Sequence, residues 1–543
     1  MISKEKILDT LERLVKVPSI SGTEKENLAV DEIYNILMDI DYFKNNNDNV
    51  KIHNIEGDMH NRRFLTALLE GGNPSKEIII LTGHLDVVDI DEFGTLKNIA
   101  FDYKKYTQKV SNLVLDEDSK KDLQSNEWIF GRGTSDMKYG LALYIELLRE
   151  LSKSRNFKGN ILFLTVPGEE SNSEGMLGAI PYLSKLKDDG YNFKCLFLSE
   201  CCIPKYEGDN IKRIYIGSVG KIMPTFFCVG KATHVGNPFG GLNPNLLVSE
   251  INRLIEYNVD LSDEYKGDTT PPPVCLKQAD LKELYSVQNP IYTYSYYNLL
   301  TIKKTPDEIM RTLKSISKEA FCNTLKIIKE NYKKYKSLCG SKLEEDLDIE
   351  PRIVTFEELY KEVLNENKDF SQYIQKSIEK WKEQKLDNQT IGIKIIKETF
   401  EKYKYQQPMI VIAYNVPYYP HRYFDSKNPK YTNLLNSLDN MRRYSKEKYN
   451  VDIQKENFFM GISDLSYTGL DENFNIEYIC ENMPGLGYTY KFPEKELKKL
   501  DIPSVIFGGF GKDFHKYTER LNIPYSMDIV PQLYMYILKE MLQ

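Results

Sequence analysis

The sequence predicts an α/β fold that is interrupted by a second structural unit. Short apolar runs alternate with helical periodicity over roughly the first two hundred residues, which is the pattern of a sheet covered by helices on both faces. The runs indicate strands at Glu77–Thr82, Asn160–Val166 and Phe193–Leu198, with a helix from about Met137 to Ser152 between the first two. At 543 residues the chain exceeds what one hydrophobic core supports, so two or more units are expected.

The inserted unit begins where the alternation of strands and helices gives way to a β-rich sequence. A β-rich stretch, KIMPTFFCVG, is followed by a Gly/Asn/Pro loop and a strand, YTYSYYNLLTI. A long charged helical region with few Gly or Pro residues then runs from Pro306 to about Tyr405. From MIVIAYNVPYYPH onward, the sequence again alternates apolar strand patterns with helical periodicity. We therefore expect residues 1–217 and 419–543 to form one domain, with residues 218–418 inserted into it.

Composition narrows the class of protein and its partners. The chain is 41% hydrophobic and 28% charged, which is typical of a folded globular protein. A net charge of -7 with mixed signs along the chain offers no continuous basic face, so we expect no nucleic-acid partner. No apolar run approaches a membrane span, and the N-terminal segment reads as an amphipathic helix and not a signal peptide. Eight cysteines without a framework spacing favour a reducing cytoplasm.

The candidate strands are followed by residues that can bind a metal ion. In open α/β sheets, ligands gather outside the carboxyl ends of the strands, so residues distant in sequence converge on one crevice. His84 and Asp86 follow EIIILT, and Glu169 and Glu170 follow ILFLTV. Glu200 follows CLFLS, and His515 comes soon after SVIFGG. Asp136, in GRGTSDMK just before a helix, can join them.

These residue types suit a site with two zinc ions, with cobalt or manganese as other occupants. Imidazole and carboxylate are zinc ligands, and a carboxylate can bridge two ions that activate a water between them. The expected ligands are His84, Asp136, Glu170, Glu200 and His515. Adjacent side chains diverge, so Glu169 can face the water as general base while its neighbour holds metal. Asp86 is placed to accept the imidazole N–H of the first histidine and fix its tautomer.

Each element also has an ordinary structural interpretation. A His-X-Asp pair after a strand is often a turn with a satisfied histidine, and a Glu-Glu pair is often a solvated loop. Asp136 can serve as a helix N-cap, Glu200 as an exposed strand end, and His515 as an incidental loop histidine. The joint occurrence of all of them, in this order, favours the metal site.

The motifs resemble those of the zinc amidohydrolases and exopeptidases that include carboxypeptidase G, aminoacylase-1, peptidase T and succinyl-diaminopimelate desuccinylase. The segments that carry the resemblance are VPSISGTEKE, LTGHLDVVD, GRGTSDMKYGLA and VPGEESNSEG. It implies a mixed-sheet, phosphorylase/hydrolase-like catalytic domain with an inserted α+β lid, and Asp136 as the bridging ligand. It also implies a possible homodimer formed through the lid domains.

The resemblance extends to the lid and to the last motif. THVGNPFGGLNP resembles the lid segment in which a histidine and an asparagine approach the substrate, which implies that His234 polarises the scissile carbonyl and Asn243 binds substrate. Without the family, His234 is equally well a loop histidine. In FFMGISDLSYTGL, Asp464 is expected to be structural, whereas the role of Glu519 in FHKYTERL stays open. Tyr139 replaces a usually small residue and is expected to narrow the pocket.

The expected activity is hydrolysis of an amide or peptide bond in a small peptide or N-acyl amino acid by a metal-dependent enzyme. The chain length and the helical insertion most resemble the RocB branch, associated with arginine utilisation, and do not fix the substrate. Two alternatives are a catalytically silent or regulatory homologue that binds a small molecule, and a two-metal phosphoesterase.

Overall fold

The computed structural model describes residues 2–339, 349–424, 427–470 and 476–542. The α-helices, in chain order, are α1 Lys4–Val15, α2 Glu26–Met38, α3 Asp41–Asn45, α4 Tyr103–Lys109, α5 Glu117–Ser125, α6 Lys138–Leu151, α7 Glu174–Asp188, α8 Pro244–Ile255, α9 Pro306–Cys339, α10 Phe356–Glu366, α11 Phe370–Glu383, α12 Asn388–Glu401, α13 Pro429–Tyr449, α14 Glu477–Asn482, α15 Glu494–Leu500 and α16 Val530–Met541.

The strands, in the same order, are β1 Val50–Asn54, β2 Arg63–Glu70, β3 Asn73–His84, β4 Trp128–Phe130, β5 Lys158–Val166, β6 Asn192–Leu198, β7 Lys212–Tyr215, β8 Gly217–Ser218, β9 Gly220–Val229, β10 Glu264–Tyr265, β11 Asp268–Thr269, β12 Val274–Asp280, β13 Tyr292–Thr301, β14 Ile353–Thr355, β15 Met409–Tyr419, β16 Arg422–Tyr423, β17 Ile453–Glu456, β18 Ser504–Ile506, β19 Gly511–Lys512 and β20 Arg520–Asn522. This mixture of helices and sheets confirms the predicted α/β class.

The chain divides into two compact units. The first consists of Met1–Ser218, Arg422–Glu472 and Pro493–Gln543, and the second of Val219–His421 and Asn473–Phe492. The return of Asn473–Phe492 to the second unit was not predicted from the sequence. Within that unit, the Tyr490 hydroxyl donates to the carbonyl of Tyr418 on β15 at 2.9 Å, a contact between residues far apart in sequence.

The first unit is built on an eight-stranded mixed sheet in the order β1-β2-β5-β3-β6-β18-β7-β17. Strands β5, β3, β6 and β18 are mutually parallel, so their carboxyl ends lie at one edge. From Ile78 onward β3 is buried on both faces, and β5 is buried after its first residue. Burial on both faces explains why these strands read as continuous apolar runs. Helix α6 is buried along most of its length.

The second unit contains a five-stranded sheet in the order β12-β13-β9-β15-β14. Helices α10, α11 and α12 pack on it through a cluster that includes Phe356, Phe370, Ile378 and Phe400. The predicted helical region therefore contains α9 to α12 and the short strand β14, and its residues 340–348 lie outside the described part. Among the described helices, none has the length and apolar character needed to cross a membrane.

Candidate metal centre

His84 is the last residue of β3, and its ring is held in one tautomer. Its Nδ1 lies 3.0 Å from the main-chain carbonyl oxygen of Asp86 and 3.6 Å from the Asp86 carboxylate. Because a carbonyl oxygen can only accept, Nδ1 donates its proton to the Asp86 carbonyl, and Nε2 is the ring atom that would bind a metal ion. That Nε2 lies 3.1 Å from Asp136 Oδ1 and 3.3 Å from Glu200 Oε1. One histidine and two carboxylates thus converge at the end of the sheet.

A second cluster shares Asp136 with the first. His515 Nε2 lies 3.1 Å from Asp136 Oδ2 and 3.1 Å from Glu170 Oε2. The two oxygens of Asp136 therefore face different histidines, Oδ1 toward His84 and Oδ2 toward His515. This is the arrangement that a bridging carboxylate requires. The structure brings together all five residues that the sequence proposed as ligands.

The donor atoms fit two zinc-type ions. The two triads are His84–Asp136–Glu200 and Asp136–Glu170–His515. Within each triad, the potential ligand atoms lie within 4.8 Å of one another. Donors about 2.0–2.1 Å from a tetrahedral zinc ion are roughly 3.3 Å apart, close to the separations of 3.1 to 3.3 Å that each histidine makes with its carboxylates. Each triad offers imidazole nitrogen and carboxylate oxygen, which suit a borderline cation.

The pKa shifts of the clustered side chains also favour a metal site. Burial, reinforced by Asp136, raises the pKa of Glu170 to about 7, and burial also raises the pKa of Glu200. Hydrogen bonds to Asp136 and Glu170 raise the pKa of His515 to about 10. Burial lowers the pKa of His84, but the carboxylates around it, Glu200 first, leave it well above its ordinary value. Clustered buried carboxylates are costly, and divalent cations would stabilise their ionised forms.

Glu169 lies beside the first triad. Its Oε2 is 4.0 Å from His84 Nε2, and its side chain is 10% exposed. Burial raises its pKa well above the ordinary value, and the negative charge of Glu170 adds to the effect. A carboxyl group whose proton affinity is raised this way suits proton transfer near neutral pH.

Asp86 holds the turn that carries the two glutamates. Its Oδ1 accepts the main-chain N–H of Glu169 at 3.2 Å, and its Oδ2 accepts that of Glu170 at 3.1 Å. From the sequence we expected this carboxylate to accept the imidazole N–H of His84, but the nearer acceptor is the Asp86 main-chain carbonyl. Asp86 therefore contacts the His84 ring through its backbone and the main chain of Glu169 and Glu170 through its side chain.

Glu26 supports the same turn from the other side, and sequence reasoning missed it. Its Oε2 accepts the main-chain N–H of Gly168 at 2.7 Å, and its Oε1 accepts that of Gly22 at 2.9 Å. Arg62 Nη1 lies 3.3 Å from Glu26 Oε1, and both side chains are buried. A Cβ at Gly168 would approach this guanidinium to 2.6 Å, which explains the glycine, whose φ is +74°. The motif SGTEKE is therefore part of the support of the site.

Arg132 and Glu519 link the segments that carry Asp136 and His515. Arg132 Nη1 donates to Glu519 Oε2 at 2.7 Å, and its Nη2 donates to the main-chain carbonyl of His515 at 3.0 Å. Glu519 Oε1 accepts the main-chain N–H groups of Ser135 and Asp136 at 3.2 and 3.3 Å. The sequence left the role of Glu519 open. In the structure, this carboxylate pairs with Arg132 and accepts hydrogen bonds from the main chain at Ser135 and Asp136. Arg132 had no local signal beyond its place in GRGTSDMK.

Two further sequence expectations can be compared with the structure. Tyr139 does not narrow the pocket: it is fully buried, and its hydroxyl donates to the carbonyl of Ser526. Helix α6 is buried on all sides from Lys138 to Leu148, so this ring is part of the core. Asp464, expected to be structural, is buried, and burial raises its pKa to about 7.

The two lid residues belong to the second unit. His234 is exposed, and its Nδ1 accepts the main-chain N–H of Gly236 at 3.0 Å. Asn243 is the N-cap of α8, and its Oδ1 accepts the main-chain N–H of Asn245 at 3.0 Å. The Asn243 side chain thus has a structural function of its own.

The α/β unit and its paired triads define a metallohydrolase. The chain belongs to peptidase family M20/M25/M40, whose model matches residues 80–471, and it is a metal-dependent hydrolase of peptide or acyl-amino-acid bonds. The predicted family and activity are confirmed.

Relatives cover the whole chain. It is 34% identical over 552 residues to the uncharacterized protein YqjN of Bacillus subtilis strain 168. That alignment covers 100% of this chain and 97% of YqjN. It is 30% identical over 523 residues to protein RocB of the same organism, covering 96% and 92%. The fold is similar to that of the M20 family metallo-carboxypeptidase Sso-CP2 of Sulfolobus solfataricus, with a TM-score of 0.54, 12% identity and coverage of 99% and 100%.

Proposed function

We propose that this chain is a zinc-dependent aminoacylase or exopeptidase that hydrolyses an amide bond of a small peptide or an N-acyl amino acid. The observation that carries the proposal is that the two oxygens of Asp136 face His84 and His515, with Glu169 beside the first triad. Two ions held by these triads would polarise the scissile carbonyl and acidify the attacking water. Cobalt or manganese would suit the same donors.

Glu169 acts as general base and then as general acid. Its carboxylate takes a proton from the attacking water and delivers it to the nitrogen of the leaving amine, so the C–N bond breaks and a carboxylate and an amine are released. Asp86 holds the main-chain N–H of Glu169, which fixes the direction of this side chain. The raised pKa of Glu169 suits a group that must accept and return a proton.

His234 donates a hydrogen bond to the carbonyl oxygen of the substrate as negative charge develops on it. Its Nδ1 accepts the N–H of Gly236, so the neutral ring carries its proton on Nε2. A neutral imidazole with that tautomer is a donor of fixed direction, as an oxyanion hole requires. Asn243 is proposed to contact the substrate from the same loop, in addition to capping α8.

A cavity of about 520 Å³ lies in the first unit, near the segments that follow Glu200 and that flank His515. Among the described residues, its walls are residues 203–208, Asp116, Asp118, Lys512, Asp513, Phe514 and Lys516, and none of the proposed ligands is one of them. A volume in this range holds a small molecule and excludes a folded protein.

Assembly and location complete the proposal. We propose a homodimer through the second unit, because β12 is the outer strand of its sheet and exposes Val274 and Leu276, at 36% and 49%. The molar mass in solution tests it, since Leu276→Asp should convert a dimer into a monomer, and a monomeric parent refutes it. A cytoplasmic location is supported by the eight cysteines, none of which forms a disulfide bond in the part of the chain that the structure describes.

The first test is the metal content of protein purified without chelator and reconstituted with zinc. We expect about two ions per chain in the parent and fewer in Glu170→Ala and His515→Ala. Parent protein without metal would refute the hydrolase and favour the silent small-molecule-binding homologue.

The second test is a substrate panel of N-acyl amino acids, dipeptides and phosphoesters. Arginine derivatives belong in it because the resemblance to the RocB branch suggests a role in arginine utilisation. Turnover of amides and not of phosphoesters supports the proposal. Turnover of phosphoesters alone would support the two-metal phosphoesterase instead.

A further inference from the structure

We propose that the distal half of α9 holds the His234 loop in place through an aromatic contact, so that Tyr332 and Tyr335 are positioning residues for His234. The contact joins the ring of Phe239, in the loop, to the rings of both tyrosines. The inference rests on the proposed function of His234, and it assigns a role to the long helix that the sequence left without one.

The distal half of α9 has little other packing. The helix is 34 residues long, and its buried side chains end at Leu325. Every residue from Lys326 to Cys339 is at least partly exposed, and Leu338 is 85% exposed. A helical segment of this length is marginal in water without tertiary contacts. The contact with Phe239 is therefore a candidate reason for the helix to extend this far.

The His234 loop is fixed at its base by main-chain hydrogen bonds. Lys231 and Leu242 exchange two of them, at 2.9 and 3.0 Å, which closes the loop. Val235 N–H donates to the carbonyl of Val287 at 3.0 Å on one flank. Within the loop, the Thr233 hydroxyl donates to the carbonyl of Asn237 at 2.7 Å, and the Phe239 side chain beyond it has its own packing contact.

Phe239 restrains the loop through this packing contact. It lies in the short 3₁₀ turn Pro238–Gly240 and is half-buried. Its ring centroid is 5.3 Å from that of Tyr332 and 5.5 Å from that of Tyr335, with interplanar angles of 54° and 33°. Both separations are in the range of favourable aromatic pairs. The two tyrosines are three residues apart, on one face of α9, so a single ring can contact both.

The loop contacts transmit this restraint to the catalytic histidine. Asn237, next to the turn, donates its N–H to the carbonyl of His234 at 2.8 Å, and Gly236 donates to the imidazole Nδ1 at 3.0 Å. Displacement of Phe239 therefore disturbs the main chain of this turn and the hydrogen bond from Gly236, which sets the direction and tautomer of the ring. A misdirected donor stabilises the oxyanion less, so kcat should fall more than KM rises.

The test compares Tyr332→Ala/Tyr335→Ala with Tyr332→Phe/Tyr335→Phe in the full-length, zinc-loaded protein. Two aromatic pairs correspond to a population change on the order of tenfold. We expect the alanine variant to lose about that factor in kcat and the phenylalanine variant, which keeps both rings, to match the parent. Leu338→Ala, on the same helix and exposed, is the control and should be silent.

Two readouts separate this inference from the proposed function. Hydrogen exchange in residues 233–241 should accelerate in the alanine variant, and the kcat loss should vanish when His234→Ala is already present. Unchanged exchange overturns the bracing contact itself. Accelerated exchange with unchanged kcat overturns the positioning role, and if His234→Ala is then fully active, the failure belongs to the proposed function of His234.

Discussion

Arg132 Nη1 donates to Glu519 Oε2 at 2.7 Å, and both side chains are buried, at 2% and 0% exposure. The pair holds the main chain at Asp136 on one side and the main-chain carbonyl of His515 on the other. Two proposed ligands far apart in sequence, Asp136 and His515, therefore have their main chains held by one ion pair. Partners of this kind influence metal affinity although they touch no metal.

Loosening this pair should weaken metal binding. The single ammonium of Arg132→Lys cannot replace the three hydrogen bonds that the guanidinium makes to Glu519 and to the carbonyls of His515 and Asp89. Zinc affinity should therefore fall by roughly 10- to 100-fold in a chelator competition. Arg213→Lys is the matched control, because Arg213 is equally buried and pairs with Asp209. Parental zinc affinity in Arg132→Lys would contradict the role given to the pair.

Removing the base should abolish turnover and spare the metal. Glu169→Gln keeps the size of the side chain but cannot take up the proton, so kcat should fall by roughly 10²- to 10⁴-fold. The zinc content should stay at that of the parent, whereas Glu170→Gln, which alters a proposed ligand, should lower it. A Glu169→Gln enzyme with near-parental kcat would refute the assignment of the base.

The support of the glutamate turn should depend on Glu26. Glu26→Ala removes the acceptor of the Gly168 N–H and a partner of Arg62, so the protein should lose about 3 kcal/mol of stability in urea denaturation. Glu24→Ala, at an exposed position two residues earlier, should leave the free energy of unfolding unchanged. Glu26→Gln keeps one acceptor and should recover part of the loss. Equal stabilities of Glu26→Ala and the parent would show that the buried contact contributes nothing.

Stability should depend on pH through Lys212. Burial lowers the pKa of this ammonium to about 8, and its Nζ lies 3.4 Å from the centroid of the Phe510 ring. The unfolded chain then binds more protons than the folded one between pH 8 and the ordinary lysine pKa of about 10.4, so this residue makes stability rise with pH across that window. Below pH 8 both states are charged, and the cost of burying the charge is constant.

Lys212→Met removes the buried charge. The variant should be more stable than the parent at pH 7, and the difference should shrink as the pH approaches 10. Urea denaturation of both proteins at each pH, at equal zinc loading, measures it. A difference that does not change between pH 7 and pH 10 would argue against the lowered pKa.

Much of the fold was readable because local pattern and burial coincide. The strands foreseen at Glu77–Thr82 and Phe193–Leu198 belong to β3 and β6, where burial on both faces favours the apolar runs Ile78–Leu81 and Cys195–Leu198. The boundary foreseen at 217/218 lies beside the change of unit at Ser218/Val219. The return of residues 473–492 to the second unit had no such signal, since it depends on distant contacts such as that of Tyr490 with Tyr418.

The sequence by itself determined which residue types stand at the ends of the parallel strands, and hence the chemistry that His84, Glu170, Glu200 and His515 can perform. Only the tertiary structure decided how they are held: Glu26 on the Gly168 amide, Glu519 on the Asp136 amide, and Tyr139 turned into the core. The reason is physical. Strand ends follow from hydrophobic periodicity, which is local, whereas a hydrogen bond between a side chain and a distant amide leaves no periodic trace in the sequence.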